Sequence, residues 1–295
     1  MLPYLLMLSS VFVHYAESFM MKKYNRKFAG GGFMFISIVS LFSSLFFLGK
    51  YFILDAPKGN FTTSVIPYSL CGGVFYASSS VLVFYAICMG SLAVTQMILG
   101  CGTIISTLFG IIYLKESANF LTYIGLILLA VAIYLLKSNK VEPDKPKAGT
   151  ASWFVVAILG MLTSSAYSII SKLQQIRFSN TMDSAFAMMS IGLSFVFTFV
   201  LSIVMDRKQA FYVLKTCLPY ASVAGISNGL NNLLMYAYYP LISYSIAVPT
   251  KSLFTKIFNF VMGHYVLKER YSGKQILGLI VVCIGVVLIN VAKYI

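Results

Sequence analysis

The sequence has few charged residues and very few acidic ones. Only 10% of its 295 residues are charged, and eight Asp and Glu stand against 22 Lys and Arg. A soluble domain averages about 25% charged residues, and this chain is instead 59% hydrophobic. Because so little charge cannot cover a water-facing surface, the composition excludes an ordinary soluble protein. It predicts an integral membrane protein.

Motifs of disulfides, metal sites and enzymes are also missing. The five cysteines lie inside apolar segments and show no CxxC spacing, which is typical of packing thiols rather than of a disulfide or zinc site. No glycine-rich phosphate loop, paired-carboxylate motif or nucleophile motif occurs. We therefore expect a protein that is not an enzyme and that uses no cofactor and no metal.

Apolar runs occupy nearly the whole chain. Each of ten runs can cross about 30 Å of hydrocarbon at about 1.5 Å per residue. The predicted spans are 2–21, 30–53, 65–88, 91–114, 119–137, 152–174, 183–205, 217–239, 242–267 and 272–293. The first span has no basic segment before it and no cleavage site, so we expect a retained helix rather than a signal peptide. The sequence predicts an all-α, multi-pass protein of the cell membrane (plasma or inner).

The formal net charge of +14 does not indicate nucleic-acid binding in such a chain. Most basic residues lie in short loops, where they contact phospholipid headgroups and set the topology. We expect a small-molecule substrate and membrane lipids as partners, and no nucleic acid. A monomer is expected, with a homodimer as the alternative.

The second half of the chain repeats the first. Leu-Lys-Glu begins at Leu114 and again at Leu267, and Gly-Leu-Ile begins at Gly125 and again at Gly278, both 153 residues apart. Five spans in each half turn the second copy upside down, as in many secondary transporters. We predict ten transmembrane helices in two inverted five-helix repeats around a central cavity. The predicted units are 1–137, a linker loop over 138–151, and 152–295.

Two lysines lie deep inside the ninth span. Lys251 and Lys256 are each about 13 to 17 Å from the nearer interface, too far for complete snorkelling. An ammonium near the midplane costs about 2.5 kcal/mol or more, so each is expected to face a watery cavity or a partner charge. Lys251 shares a helical face with Thr255 and Asn259, whereas Lys256 is rotated by about 140°. We therefore expect Lys251 to face the cavity more readily; a permanent ion-pair or hydrogen-bond network without a ligand is the alternative for both.

Polar side chains of other spans extend this candidate site. His14 and Glu17 lie one turn apart on the first span, as candidates for proton coupling; alternatively, Glu17 pairs with Lys22 and Lys23 at the membrane rim. Three asparagines of the eighth span share one face, for substrate binding or for contact between helices. The predicted substrate-binding residues are Lys251, Asn228, Asn231, Asn232, Tyr76, Ser79, Gln96, Lys256, Thr255 and Asn259.

With a Leu-Lys-Glu turn before the last helix of each half, the chain resembles the drug/metabolite transporter superfamily, as a ten-helix EamA-like member. The opening MLPYLLMLSSVFVHYAESFMMKK is similar to the first helix of small multidrug resistance transporters. That likeness implies that Glu17 binds protons and cationic substrates. The segment NNLLMYAYYPLISYSIAVPTK is similar to part of nucleotide-sugar transporters, which implies that Lys251 corresponds to their lysine.

The charges of the candidate site favour an anionic or zwitterionic substrate. Lys251 and Lys256 oppose the one carboxylate of Glu17, a balance that suits an amino-acid-like, nucleotide-like or phosphorylated metabolite. We predict secondary active transport by alternating access, with proton-coupled export of cationic drugs as the alternative. The excess of Lys and Arg on one side places both termini outside the cytoplasm, whereas the resemblance implies cytoplasmic termini, so the orientation stays open.

Overall fold

The fold is described from a computed structural model of the chain. The structure describes residues 2–28, 30–55, 61–115, 118–137, 151–179, 181–205, 210–238, 241 and 244–292. Throughout these ranges the regular structure is helical. The linker predicted over 138–151 lies outside the described residues except for Ala151.

Eleven α-helices follow one another along the described chain. They are α1 (Leu2–Lys27), α2 (Gly32–Lys50), α3 (Val65–Met89), α4 (Leu92–Gly100), α5 (Thr103–Ile112), α6 (Phe120–Leu136), α7 (Ala151–Arg177), α8 (Asp183–Met205), α9 (Ala210–Tyr238), α10 (Tyr244–Tyr265) and α11 (Gly273–Val291). A π-helical turn, Tyr51–Asp55, extends α2. Several helices run past the apolar segments predicted for them, and α9 begins at Ala210 rather than near 217.

The sequence predicted one continuous segment for the fourth span, but the structure divides it into two helices. Helix α4 ends at Gly100 and α5 begins at Thr103. Glycine is a poor helix former, and both glycines at the break are closely packed. A methyl group on Gly100 would overlap Lys256, and one on Gly102 would overlap Ser165. The break therefore lies where side chains from other helices approach the backbone of this span.

The surface and the interior of the bundle have the polarity of a protein dissolved in lipid. Large apolar side chains face outward and are more than half exposed, among them Phe12, Val74, Ile127, Tyr134 and Phe197. Hydroxyl groups are buried between helices, where Ser40 and Ser194 lie 3.2 Å apart (Oγ to Oγ). Buried polar contacts of this kind join helices in a membrane, where apolar side chains gain nothing by leaving the lipid.

Some helices are more apolar than others. Five helical segments of the described chain are long and apolar enough to cross a membrane: Gly32–Ile53, Val65–Met89, Leu92–Ile112, Ala151–Arg177 and Asp183–Met205. Helices α6 and α11 are apolar but shorter. Helices α1, α9 and α10 carry the charged and carboxamide side chains of the candidate site, which lower their mean hydropathy.

Corresponding positions of the two halves make corresponding contacts. Gly125 of α6 packs against Ile289 of α11, and Gly278 of α11 packs against Leu136 of α6. Each residue of the second pair lies 153 positions from its counterpart in the first. The helix pairs are related in the same way. Helix α1 packs along α9, and their counterparts in the other half, α7 and α3, pack along each other.

The turns before α6 and α11 are also equivalent in backbone and capping. Lys115 has a φ of 54° and Lys268 a φ of 53°, a left-handed conformation that is uncommon for residues other than glycine. The Asn119 side chain accepts from the backbone N–H of Thr122 at 3.2 Å. The Ser272 hydroxyl accepts in the same way from Gln275 at 3.3 Å. The repeated sequence therefore forms a repeated structure.

Candidate functional site

A cavity of about 410 Å³ lies between α1, α4, α5, α7, α9 and α10. It extends toward the last turns of α7 and α9, where Gln175 and Met235 contribute to its wall. Seven of the predicted site residues line it: His14, Gln96, Asn231, Asn232, Lys251, Thr255 and Lys256. The sequence therefore brings most of the predicted polar groups of four helices to one cavity.

Lys251 faces this cavity from the middle of α10. Its ammonium donates to Oδ1 of Asn231 at 2.9 Å. Among the described residues, no carboxylate lies within 4.0 Å of the Lys251 Nζ. A neutral carboxamide oxygen satisfies one donor but does not cancel the charge. Lys251 therefore has no permanent ion pair within the described chain and presents an unneutralised cation to the cavity.

Lys256 also lines the cavity, although the helical spacing favoured Lys251 alone. Its side chain is 2% exposed, and its Nζ lies 3.4 Å from the carbonyl oxygen of Gly100. The break between α4 and α5 and the absence of a side chain at Gly100 make room for it. Within the described chain, Lys256 likewise has no carboxylate within 4.0 Å.

Most other residues of the cavity wall are polar, although Leu99 and Met235 also line it. Four residues contribute carboxamides and six contribute hydroxyl groups: Gln96, Gln175, Asn231 and Asn232, and Ser106, Tyr167, Ser168, Ser171, Ser252 and Thr255. Of the described residues that line the cavity, none is Asp or Glu. A wall with two ammonium groups and many neutral hydrogen-bonding groups is suited to a polar anion.

Asn228 was predicted to bind substrate, but it lies outside the cavity wall and joins four side chains. Its Oδ1 accepts from the hydroxyl groups of Ser43 at 2.8 Å and Tyr76 at 3.1 Å. The same atom accepts from Nδ2 of Asn232 at 3.1 Å. Three donors on Oδ1 orient the amide so that Nδ2 donates to Glu17 Oε1, at 2.9 Å. Asn228 therefore positions the Glu17 carboxylate, and Tyr76 supports it from α3.

Glu17 lies behind the cavity wall rather than in it. It is 7% exposed, and Nδ1 of His14 lies 3.7 Å from its Oε2. His14 lines the cavity and thus stands between the carboxylate and the cavity. The alternative that Glu17 pairs with Lys22 is not what the structure shows, because the Lys22 ammonium instead donates to the carbonyl oxygens of Ile87 and Gly90.

Three other predicted site residues, Tyr76, Asn259 and Ser79, do not line the cavity. Asn259 is completely buried on α10, and neither its Oδ1 nor its Nδ2 has a hydrogen-bond partner in the described chain. Ser79 is half-buried on α3. Gln96, which does line the cavity, donates from Nε2 to the hydroxyl of Ser18 at 3.0 Å. Helix α4 is thereby tied to α1 beside the site.

Sequence reasoning missed one whole wall of the cavity, on α7. Tyr167, Ser168, Ser171 and Gln175 all line it. The last three lie at intervals of three and four residues, which places them on one helical face. This polar stripe in an otherwise apolar span was the available signal. Ser106 of α5 and Ser252 of α10 complete the set of hydroxyl groups.

The comparisons with known proteins agree with this architecture. The EamA-like transporter family matches the chain over residues 1–138 and 151–291. No curated protein matches the sequence. Twenty-two chains of solved structures match; one, a crystal structure, has 12% identity and a TM-score of 0.52, covering 97% of this chain and 98% of its own. At that identity the likeness shows the fold alone.

The predicted fold class is confirmed. The chain is an all-α, multi-pass membrane protein with ten spanning helices, α4 and α5 together forming one of them, in two inverted five-helix repeats around a central cavity. The resemblance to the drug/metabolite transporter superfamily is confirmed as well. The division of the chain at residues 138–151 stays a prediction.

Proposed function

Because this chain belongs to the EamA-like transporter family, we propose that it is a secondary active transporter of a small polar anion. The substrate is an anionic metabolite, nucleotide-like or phosphorylated or a carboxylic acid, carried by alternating access. The proposal is carried by one observation: the Lys251 ammonium faces the cavity with a neutral partner, the Asn231 carboxamide, at 2.9 Å.

An unneutralised ammonium inside a membrane is costly, and an anionic substrate would offset that cost on binding. Lys256 lies in the same wall with only a carbonyl oxygen at 3.4 Å. An anion adds a Coulomb attraction to each ammonium that a neutral carbonyl or carboxamide oxygen lacks. Both lysines therefore gain more from an anion than from the neutral groups that now contact them.

A zwitterionic, amino-acid-like substrate has less support than an anion. Its ammonium group would need an acceptor of negative charge, and none of the described lining residues is Asp or Glu. The alternative of cationic drug export meets the same difficulty. Glu17 would have to reach the cavity past His14, while two ammonium groups repelled the substrate.

A thermal-shift screen in detergent tests the proposal. The probes are inorganic phosphate, succinate and glycerol 3-phosphate as anions, alanine as a zwitterion and tetraphenylphosphonium as a cation. A ligand at 100 times its Kd stabilises the folded state by about 2.7 kcal/mol, so binding raises the melting temperature. We expect at least one anion to do so. A shift with tetraphenylphosphonium and with none of the anions would overturn the proposal.

A further inference from the structure

Helix α4 is held at both ends by side chains of the second repeat. At its first turn, the Glu269 carboxylate accepts from the backbone N–H of Leu92 at 2.8 Å and from the hydroxyl of Ser91 at 2.7 Å. Glu269 is 2% exposed and also accepts from Tyr271 at 3.1 Å. A carboxylate at a helix N-terminus is stabilised by the helix dipole. This contact is short and has several donors.

The other end of α4 lies against Lys256. Its ammonium is 3.4 Å from the carbonyl oxygen of Gly100, the last residue of the helix. A cation at a helix C-terminus is also favourable, but this distance is longer than that of a good N–H···O hydrogen bond, about 2.7 to 3.2 Å. The contact at the C-terminus of α4 is therefore the weaker of the two.

The N-terminus of α4 lies among buried contacts that join α1, α3, α7 and the segment after α10. Here the Lys22 ammonium, 1% exposed, donates to the carbonyl oxygens of Ile87 at 2.6 Å and of Gly90. Arg26 donates to the carbonyl oxygen of Leu267 at 3.0 Å. Trp153 packs against Gly90 and donates to the carbonyl oxygen of Ala86 at 3.1 Å. We call this set of contacts around the α3–α4 turn the closure.

Helix α4 thus connects the closure to the cavity. Its nine residues span about 14 Å at about 1.5 Å per residue. The end at the closure is bound to Glu269, and the end at the cavity contacts Lys256, which lines the cavity. An anion in the cavity competes with the Gly100 carbonyl for the Lys256 ammonium, and the anion is the stronger acceptor.

We propose that Lys256 couples anion binding to opening of the closure. The bound anion draws the ammonium away from Gly100, so the C-terminus of α4 loses its counter-charge and, within the described chain, the Gly100 carbonyl oxygen keeps only the hydroxyl of Thr103, at 2.8 Å. The helix can then shift at its cavity end. Movement of α4 then loosens the α3–α4 turn from Lys22 and Trp153. Lys251 holds the substrate and Lys256 transmits its presence. This inference rests on the proposed anionic substrate.

The chain contains its own reporter for this movement. Trp153 is the single tryptophan of the sequence, it is 2% exposed, and it belongs to the closure. Its fluorescence and its quenching by the neutral quencher acrylamide therefore report whether the closure is intact. The experiment adds inorganic phosphate, succinate and glycerol 3-phosphate in turn to purified protein and records both melting temperature and quenching.

Four proteins are compared: wild type, Lys256→Met, Gly100→Ala and, as a control for the loss of one positive charge, Lys274→Met. In wild type and in Lys274→Met, an anion that raises the melting temperature is expected to increase quenching of Trp153. Lys256→Met is expected to need a higher anion concentration for the same rise in melting temperature, because Lys251 alone then holds the anion, and to lose the change in quenching. Gly100→Ala, whose methyl group would overlap Lys256 Cε, is expected to show increased quenching without any anion.

Each of the other outcomes contradicts either the proposed function or the coupling role of Lys256. If no anion raises the melting temperature of wild type, the proposed function fails, and this inference fails with it. If an anion binds wild type but Lys256→Met still shows the change in quenching, the coupling role is wrong and the proposed function stands. If Lys256→Met shows no rise in melting temperature at any anion concentration, Lys251 does not hold the substrate alone and the proposed division of roles between the two lysines is wrong. Unchanged quenching in Gly100→Ala would contradict the role of the Gly100 contact independently of how Lys256→Met folds.

Discussion

The Lys251 ammonium donates to Oδ1 of Asn231 at 2.9 Å, across the contact between α10 and α9. The pairing of a cation with a neutral carboxamide leaves the positive charge of Lys251 available at the cavity wall. A residue that completed a permanent ion pair would instead have its charge cancelled within the protein. Whether the partner of Lys251 is neutral or ionised therefore affects both the stability of the protein and its binding of an anion.

Replacement of Lys251 by Met is expected to abolish anion binding and to leave the folded protein as stable as before, or more stable. The substitution removes a charge that has no carboxylate within 4.0 Å in the described chain, and with it a desolvation cost. Melting temperature in detergent, measured with and without the anions, checks both parts. Lys274→Met, at an exposed position, is the matched control and should bind as wild type does. A loss of about 3 to 5 kcal/mol in Lys251→Met would instead indicate a broken buried ion pair.

Replacement of Asn228 by Leu is expected to reduce the free energy of unfolding by roughly 2 to 4 kcal/mol, since buried groups left without partners cost about 1 to 3 kcal/mol each. Ser43, Tyr76, Asn232 and Glu17 would all lose a contact to this side chain. Tyr76→Phe removes one of these contacts and should cost only about 1 kcal/mol. Equal losses in the two variants would show that Asn228 does not organise the cluster.

Replacement of Glu17 by Gln is expected to remove the pH dependence of anion uptake while substrate binding is kept. The ionisable groups associated with Glu17 are His14 on its own helix, Lys251 on α10 and Tyr76 on α3. Glu17 and Lys251 attract each other electrostatically, and an anion that binds Lys251 weakens that attraction. The prediction is that a proton then crosses together with the anion. Wild-type vesicles should then take up the anion faster when the outside is more acidic. Identical responses of wild type and Glu17→Gln would show that Glu17 does not couple transport to protons.

Replacement of Gly125 by Ala is expected to destabilise the bundle by about 1 to 3 kcal/mol, the usual cost of overpacking. A methyl group here would meet the side chain of Ile289 and the backbone oxygen of Gly285, which cannot move independently of α11. Gly49→Ala is the control, because the added methyl group has nothing within 4 Å. That variant should be neutral or slightly stabilising. The melting temperatures of Gly125→Ala and Gly49→Ala, measured side by side, check this prediction.

The spans were predictable because the hydrocarbon core imposes a length and a composition on each helix. The repeat was predictable from Leu114 and Leu267 and from Gly125 and Gly278, since matched residues at one spacing imply matched structure. The position of the two α10 lysines at a cavity was predictable, because a charge at that depth needs a cavity or a partner.

What sequence reasoning missed depends on contacts between distant segments. The break at Gly100 lies beside Lys256, 156 positions away. The role of Asn228 depends on whether Oδ1 or Nδ2 of its carboxamide faces Glu17. The hydroxyl groups of Ser43 and Tyr76 fix this orientation, because both donate to Oδ1. Lys22 was expected at the membrane rim beside Lys23, but the end of α3 covers it. The helical period of a single segment carries no information on such neighbours.

The most direct test of the central claim is uptake by sealed proteoliposomes. Radiolabelled phosphate, succinate and glycerol 3-phosphate are compared with labelled tetraphenylphosphonium, using wild type, Lys251→Met and Lys274→Met. An anion-selective cavity predicts uptake of at least one anion by wild type and Lys274→Met, its loss in Lys251→Met, and no protein-dependent uptake of the cation. Protein-dependent uptake of tetraphenylphosphonium that persists in Lys251→Met, with no anion transported by wild type, would contradict it.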